Sequence, residues 1–209
     1  MSPLPRAQIA YLALGDSYTI GEDVAEDGRW PLQLAHALRE EGIPLSDPRI
    51  IATTGWTTDE LSAAIDGAEP LGAYGFVSLL IGVNNQYRGR DVDDYAREFA
   101  TLLERAIGFA DGRADRVLVL SIPDWGVTPF ARFEAGNRTN IAAEIDAHNA
   151  AAHAICAQHA VAFVDVTPVS RTRGAEPEML AADGLHPSAA MYTEWTRLAL
   201  PIARRLLAA

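Results

Sequence analysis

Short apolar runs rich in β-branched residues alternate with stretches of helical periodicity along this chain of 209 residues. Each run has the length of a strand that is buried on both faces of a sheet. The pattern therefore predicts five strands, at Ile9–Leu14, Ile50–Thr53, Phe76–Ile81, Val117–Ile122 and Val161–Val166.

Helices are predicted between these strands and after the last one. Thr57 or Thr58 is suited to cap the second helix, and Gly42 is suited to end the first. The periodicity places the helices at Trp30–Glu41, Asp59–Ile65, Val92–Phe109, Thr139–His159 and about Ser188–Leu207.

This alternation predicts a three-layered α/β fold. Strands that follow one another through helices are joined by right-handed crossovers, which produce a parallel sheet with helices on both faces. Hydrophobic residues at 49% and charged residues at 22% are ordinary for a globular protein and exclude a disordered chain. No linker, repeat or low-complexity run is present, so residues 1–209 are expected to form one domain.

The charge balance excludes two classes of partner. Seventeen Lys and Arg against 28 Asp and Glu give a formal net charge of -11. This sign is unfavourable for binding the phosphates of nucleic acid or an anionic membrane surface. The single cysteine, Cys156, cannot form an internal disulfide, and no Cys/His cluster offers a zinc site.

The N-terminal stretch MSPLPRAQIAYLALGDS has one Arg and then a short apolar run. It lacks the longer apolar core and the small-residue cleavage site of a secretory signal. A membrane-spanning helix needs about 18 or more consecutive apolar residues, and no such run occurs. A cytoplasmic location without a membrane span is therefore expected.

Three residues suited to nucleophilic catalysis follow predicted strands. Ligands of open parallel sheets bind beyond the carboxyl ends of the strands, and Ser17 follows the first strand there. A serine needs a base to take its proton, and the base needs a third group to orient it. Asp183 and His186 lie three residues apart in a turn with Gly and Pro, which allows the carboxylate to reach one imidazole nitrogen. We predict a Ser17, His186 and Asp183 triad.

Attack on an acyl carbonyl also requires donors for the oxyanion. The backbone N–H groups of Ser17 and Gly55 and the side-chain amide of Asn84 can converge if the first strand lies between the second and third. A sheet order of 2-1-3-4-5 satisfies this condition. Glycine permits a close backbone approach, and the Asn amide donates without changing charge with pH.

The chain resembles the SGNH hydrolases, the GDSL-type esterases and lipases. The family's four sequence blocks correspond in order to Gly15-Asp16-Ser17-Tyr18, Gly55, Gly82-Val83-Asn84 and Asp183-Gly184-Leu185-His186-Pro187. The resemblance implies a flavodoxin-like sheet, Ser17 as nucleophile, His186 as base, Asp183 as its orienter, and Ser17, Gly55 and Asn84 as oxyanion donors. Tyr18 departs from the usual Leu and Asn85 from a common Asp, which affects the subfamily and not the attacking or donating atoms.

Several of these residues also have a purely structural interpretation. Ser17 is a suitable helix N-cap, and Gly55 and Asn84 are suitable turn residues. Asp16 is expected to brace its loop through backbone hydrogen bonds. Cys156 is expected to be a buried small hydrophobe. The four remaining histidines are expected at surface or packed positions: His36, His148, His153 and His159.

A long segment after the fourth strand, residues 124–137, carries the aromatic residues Trp125, Phe130 and Phe133. Packing against the end of the sheet explains them as well as a role in a substrate pocket does. Trp56 and residues 86–88 (Gln-Tyr-Arg) are further candidates for pocket walls.

The sequence thus predicts a serine carboxylic-ester hydrolase that cleaves small soluble acyl esters through an acyl-enzyme, without cofactor or metal. Its expected partner is the small-molecule ester, and no oligomeric state is predicted. A lysophospholipase or acyl thioesterase of the same fold is one alternative. From a different class comes an FMN-binding flavodoxin-like module, in which the loop from Gly15 to Gly21 holds a phosphate.

Overall fold

A parallel sheet with the order β2-β1-β3-β4-β5 organises the molecule. The computed structural model describes residues 8–134 and 140–208, so the first seven residues of the N-terminal stretch lie outside it. Neighbouring strands in the sheet are parallel in every pair. The predicted α/β class and strand order are therefore confirmed. The strands are β1 (Ile9–Gly15), β2 (Leu45–Ala52), β3 (Phe76–Leu80), β4 (Val117–Leu120) and β5 (Ala162–Val164).

Helices follow every strand in the described residues. The five predicted ones are present within a few residues of their expected ends, except that Thr139 lies outside the described residues. Four additional helices of one or two turns were not predicted, because they are too short to show a periodic pattern. The helices are α1 (Ser17–Ile20), α2 (Trp30–Glu40), α3 (Thr58–Ala68), α4 (Val83–Tyr87), α5 (Val92–Phe109), α6 (Pro129–Glu134), α7 (Ile141–Gln158), α8 (Thr167–Arg173) and α9 (Ala189–Ala208).

The long helices form two layers around the sheet. The crossover through α2 runs from β1 to one edge, and α2 packs against β2 and α9. The crossovers through α3, α5 and α7 run in the opposite direction, and right-handed connection places them together on the other face. Strands β3 and β4 are buried at every residue, as expected for strands covered on both sides.

The second strand is longer than predicted. The apolar run suggested Ile50–Thr53, whereas β2 begins at Leu45 and includes Pro48. Proline cannot donate to the sheet's hydrogen-bond ladder, so within sheets it is confined to edges and bulges. Because β2 is an edge strand with a register shift beside Pro48, the proline is accommodated there. The predicted fifth strand, Val161–Val166, is in turn longer than β5.

Two helix ends agree with their predicted signals. Thr57 is the N-cap of α3, and its backbone N–H donates to the Glu60 carboxylate at 2.9 Å. Gly42 adopts a left-handed φ of 82° just beyond α2, and its N–H donates to the carbonyl of Arg39 at 2.9 Å. This bond satisfies one of the carbonyl groups that a helix end leaves without an intrahelical partner.

A buried hydrogen bond joins β1 to β3. The hydroxyl groups of Tyr11 and Ser78 are 2.9 Å apart, and both side chains are excluded from solvent. We expect Ser78→Ala to lower the free energy of unfolding by about 1–3 kcal/mol, because it leaves the Tyr11 hydroxyl buried without this partner. Urea denaturation of Ser78→Ala, Tyr11→Phe and the double variant measures the coupling. The double variant should lose less stability than the two single losses combined; additive losses would contradict the assignment.

Candidate active site

The carboxyl ends of three strands meet at one edge of the sheet. Gly15, the last residue of β1, lies in register with Ala52 of β2 on one side and Leu80 of β3 on the other. The segments that follow these strands therefore leave the sheet side by side. They carry Ser17, Gly55 and Asn84, as the predicted strand order requires.

Ser17 is the first residue of α1, directly after this junction. A Cβ atom at Gly15 would collide with the Leu80 carbonyl and the Thr19 side chain, so only glycine permits the chain to turn here. The N-cap of α1 is Asp16, whose carboxylate accepts a hydrogen bond from the Tyr18 N–H at 3.0 Å. The interpretation of Ser17 as the cap is therefore wrong, and the bracing role expected for Asp16 is confirmed.

Asp16 is fully buried beside Ser17. One carboxylate oxygen accepts from Tyr18, and the other has no hydrogen-bond partner within the described residues. Burial raises the pKa of Asp16 to about 7, against the lowering effect of the backbone N–H groups of Tyr18, Asp16 and Gly82. A carboxyl group that loses its hydration in this way favours its neutral form.

Asp183 and His186 form a local unit in the turn before α9. One oxygen of the Asp183 carboxylate accepts from the backbone N–H groups of Leu185 and His186, at 2.9 and 3.0 Å. Its other oxygen lies 2.5 Å from Nδ1 of His186. Gly184 takes the left-handed φ of 67° that lets the turn close. With Nδ1 bound to Asp183, Nε2 is the nitrogen left for the cavity that His186 lines.

The electrostatics of Asp183 are opposite to those of Asp16. Partial burial raises the pKa of Asp183, but hydrogen bonds from the His186 ring and from two backbone N–H groups outweigh it. The net effect lowers the pKa of this carboxyl. Asp183 is thus ionised near neutral pH, as a group that orients an imidazole and stabilises its protonated form must be.

Tyr18 supports the imidazole from the side. Its ring contacts the His186 ring edge to face, with 5.8 Å between centroids, and contacts Trp195 of α9 at 6.1 Å. The sequence marked Tyr18 only as a departure from the family pattern and gave no indication of this contact. An aromatic residue here connects the segment after β1 with the turn that carries the base.

Gly55 and Asn84 lie on facing segments of the same edge. Gly55 has a φ of 88°, a conformation that residues with a Cβ rarely adopt. The Asn84 side-chain amide donates to the carbonyl of Trp56 at 2.9 Å, and an Arg88 guanidinium donates to the carbonyl of Gly55 at 2.7 Å. Because an amide group has two N–H donors, Asn84 keeps one beyond its bond to Trp56.

The second family departure, Asn85, is a structural residue. It is fully buried, and its amide oxygen accepts from the Thr58 backbone N–H at 3.1 Å. Its amide nitrogen donates to the Thr58 hydroxyl at 2.6 Å. Asn85 therefore fixes the start of α3 against α4.

Ser17 and His186 open onto one cavity of about 210 Å³. Its walls are mostly apolar, and its polar lining residues include Ser17, Asn84 and His186. A mainly apolar pocket with a few convergent polar groups is typical of a small-molecule site. The lining residues are Ser17, Tyr18, Thr54, Gly55, Val83, Asn84, Tyr87, Trp125, Phe130, Leu185 and His186.

The candidate pocket aromatics divide into two groups. Trp125, Phe130 and Tyr87 line the cavity, whereas Phe133 is 89% exposed and does not. The other candidate walls, Trp56, Gln86 and Arg88, lie outside the lining. The part of the 124–137 segment that the structure describes contains a short 3-10 helix and α6, and residues 135–139 lie outside the described residues.

The remaining histidines lie apart from this cavity. His148 is buried, with Nδ1 2.8 Å from the Glu144 carbonyl, and Cys156 is buried as expected. His36 and His153 are exposed and His159 is half-buried, so surface or packed positions are confirmed. Among residues 8–134 and 140–208, no helix has the length and apolar character needed to cross a bilayer.

The family model described as the GDSL-like lipase/acylhydrolase family matches residues 13–193, from β1 into α9. The chain belongs to this family. It is accordingly an ester-bond hydrolase, and the resemblance inferred from the four sequence blocks is confirmed. No curated protein sequence matches the chain.

Solved structures share the fold of this GDSL-family chain. TesA is 22% identical with a TM-score of 0.70, over 94% of this chain and 99% of TesA. Axe2, an acetylxylan esterase from Geobacillus stearothermophilus, is 18% identical with a TM-score of 0.68, over 93% and 94% of the two chains. The psychrotrophic esterase EstA from Pseudoalteromonas sp. is 14% identical with a TM-score of 0.64, over 95% and 94%. At these identities the likeness shows the fold.

The buried carboxyl of Asp16 predicts an unusual pH dependence of stability. Its folded-state pKa of about 7 exceeds the ordinary 3.8, so its contribution is fully present below pH 3.8 and is lost as pH rises through 7. Asp16→Asn cannot ionise at this position. We therefore expect the difference in free energy of unfolding between this variant and the wild type to shift in favour of the variant as the pH rises from 4 to 8. The expected gain is on the order of 1–4 kcal/mol.

Urea denaturation at pH 4, 6 and 8 measures this gain. Asp93→Asn, the same exchange at an exposed position of α5, is the matched control. If the stabilities of Asp16→Asn and the wild type run parallel across this range, Asp16 does not titrate as argued.

Proposed function

We propose that this enzyme hydrolyses small soluble carboxylic esters, with Ser17 as nucleophile, His186 as general base and Asp183 as the residue that orients His186. One observation carries the proposal: Ser17, His186, Gly55 and Asn84 line a single cavity of about 210 Å³, and Asp183 is hydrogen-bonded to the base. The combination of nucleophile, base, orienter and amide donors is what acyl transfer to a serine requires.

The first half-reaction forms an acyl-enzyme. The Ser17 hydroxyl oxygen attacks the ester carbonyl carbon while its proton passes to Nε2 of His186. Asp183 stabilises the resulting imidazolium through Nδ1. When the tetrahedral intermediate collapses, the bond from the carbonyl carbon to the alcohol oxygen breaks, and the alcohol leaves with the proton from His186.

The second half-reaction returns the free enzyme. A water molecule attacks the acyl carbon as His186 takes its proton, and the carboxylic acid leaves as Ser17 regains a proton. In both steps the negative oxygen is stabilised by the N–H groups of Ser17 and Gly55 and by the Asn84 amide. The bond from Asn84 to the Trp56 carbonyl holds that amide in place before substrate arrives.

The cavity supports small acyl esters over lipid substrates. Its volume of about 210 Å³ is modest, and the net charge of -11 is unfavourable at an anionic membrane. Axe2, which shares the fold, is described as an acetylxylan esterase. A lysophospholipase or acyl thioesterase is the alternative that an acyl-length series distinguishes. The cytoplasmic location stays a prediction.

The FMN-binding alternative is unfavourable at the loop where phosphate would bind. The Asp16 carboxylate already accepts from the N-terminus of α1, which is only four residues long. A phosphate there would have to displace Asp16 from the Tyr18 N–H. The alternative also gives no role to the Asp183–His186 pair.

Hydrolysis of p-nitrophenyl esters from acetyl to dodecanoyl tests the proposed function. We expect the highest kcat/KM at acetyl or butyryl, and loss of turnover by at least about 10³-fold in Ser17→Ala, because the nucleophile is absent. Ser62→Ala, on α3, is the matched serine control. An optimum at long acyl chains would favour the lipid or thioester alternative, and full activity in Ser17→Ala would overturn the serine mechanism.

Removal of one oxyanion donor tests the role of Asn84. We expect Asn84→Ala to lower kcat by about 10²–10³-fold, equivalent to about 2.7–4 kcal/mol of transition-state stabilisation, with a smaller effect on KM. Steady-state kinetics with p-nitrophenyl acetate provide the measurement. An unchanged kcat would remove Asn84 from the mechanism.

A further inference from the structure

A chain of hydrogen bonds runs from an exposed carboxylate of α7 through a buried amide to the wall of the catalytic cavity. The Glu144 carboxylate accepts from the amide nitrogen of Gln86 at 2.6 Å. The amide oxygen of Gln86 accepts from the indole N–H of Trp125 at 2.8 Å. Gln86 is 2% exposed and Trp125 is 3% exposed, so water has little access to compete for the bond between them.

This chain fixes the orientation of an aromatic wall. The Trp125 ring contacts Tyr87 at 5.5 Å and Phe130 at 6.4 Å between centroids, both edge to face. All three residues line the cavity beside Ser17. Because the indole N–H of Trp125 is bonded to Gln86, this ring presents hydrocarbon to whatever occupies the cavity.

The two sides of the cavity differ in polarity. The side formed by Thr54 and Gly55 is open to solvent, since Thr54 is exposed. It is also polar, since the Thr54 hydroxyl donates to the Glu22 carboxylate. On the aromatic side Phe130 has no polar side-chain atom, the indole N–H of Trp125 is bonded to Gln86, and Tyr87 contributes a hydroxyl. An ester has an apolar acyl group and, in a soluble substrate, a more polar alcohol, and the two sides of the cavity match that division.

Three side chains stand between the aromatic side and a second, smaller space. A second cavity of only about 20 Å³ lies behind it, and the residues that line both cavities are Tyr18, Trp125 and Leu185. These three side chains therefore separate the catalytic cavity from the space beyond. The flexible side chains of Met179 and Met191 line this second cavity.

We propose that the wall of Tyr87, Trp125 and Phe130 receives the acyl group of the ester, and that Gln86 is a positioning residue that holds Trp125 where it excludes long acyl chains. The inference rests on the proposed ester hydrolysis at Ser17 and adds the residues that set its preference for short acyl groups such as acetyl and butyryl. Without Gln86 the indole N–H would lose its buried partner, and the ring would turn towards a new one, opening the wall.

The test compares acyl-length selectivity in Gln86→Leu, Trp125→Phe and the double variant. The measured quantity is the ratio of kcat/KM for p-nitrophenyl octanoate to that for p-nitrophenyl acetate. This ratio cancels any general loss of active enzyme, which a merely structural role of Gln86 would produce. We expect each single variant to raise the ratio by about 10-fold. Since Phe has no N–H for Gln86 to hold, the double variant should match Trp125→Phe alone.

Variants of Glu144 test the same hydrogen-bond chain if Gln86→Leu does not fold. Glu144→Leu removes the acceptor of the Gln86 amide and should also raise the ratio. Glu144→Gln keeps an acceptor and should restore the wild-type ratio. The matched control is Glu104→Leu, the same exchange at an exposed position of α5.

The outcomes separate this inference from the proposed function. Unchanged ratios in Trp125→Phe and in the Gln86 or Glu144 variants would overturn the inference while Ser17-dependent hydrolysis stands. Equal and additive effects of Gln86→Leu and Trp125→Phe would show that Gln86 does not act through Trp125. Hydrolysis that persists in Ser17→Ala would instead overturn the proposed function.

Discussion

The packing of β1 between β2 and β3 at Gly15 determines where the functional groups lie. Strands in a sheet are about 4.8 Å apart, so segments that leave three adjacent carboxyl ends begin within a small area. The absence of a side chain at Gly15 lets the chain turn directly into α1 below the Leu80 carbonyl. Ser17 thereby emerges between the segments that carry Gly55 and Asn84. A bulkier residue at this junction would displace the nucleophile from both groups.

The surroundings of two carboxyl groups near the cavity shift their pKa values in opposite directions. Asp16 is fully buried, which raises its pKa despite nearby backbone donors, whereas Asp183 is only partly buried and receives donors that lower its pKa. Environments that separate the pKa values of neighbouring acids are common where acids have different tasks. Here Asp16, which favours its neutral form, stabilises a turn, and the ionised Asp183 supports the imidazole.

The sequence was most informative where a feature depends on local spacing. Strand order, the Asp183–His186 turn and the position of Ser17 follow from alternation, short motifs and handedness. The link from Gln86 to Trp125 and Glu144 joins residues 39 and 58 positions apart, and no local pattern encodes which side chains meet at that range. The early start of β2 was missed for a related reason, because Pro48 is acceptable only in a strand already known to be at the edge.

The turn that carries both Asp183 and His186 has a mechanical consequence. The carboxylate binds the imidazole and two N–H groups of its own turn, so this half of the site is held together without help from the sheet. The other half is rigidly attached to the strand ends. A displacement of the turn as a unit therefore changes the distance between imidazole and nucleophile, and the contact between Tyr18 and His186 opposes it. Proton transfer requires the two halves to be aligned, so the packing between them matters as much as the bonds within each.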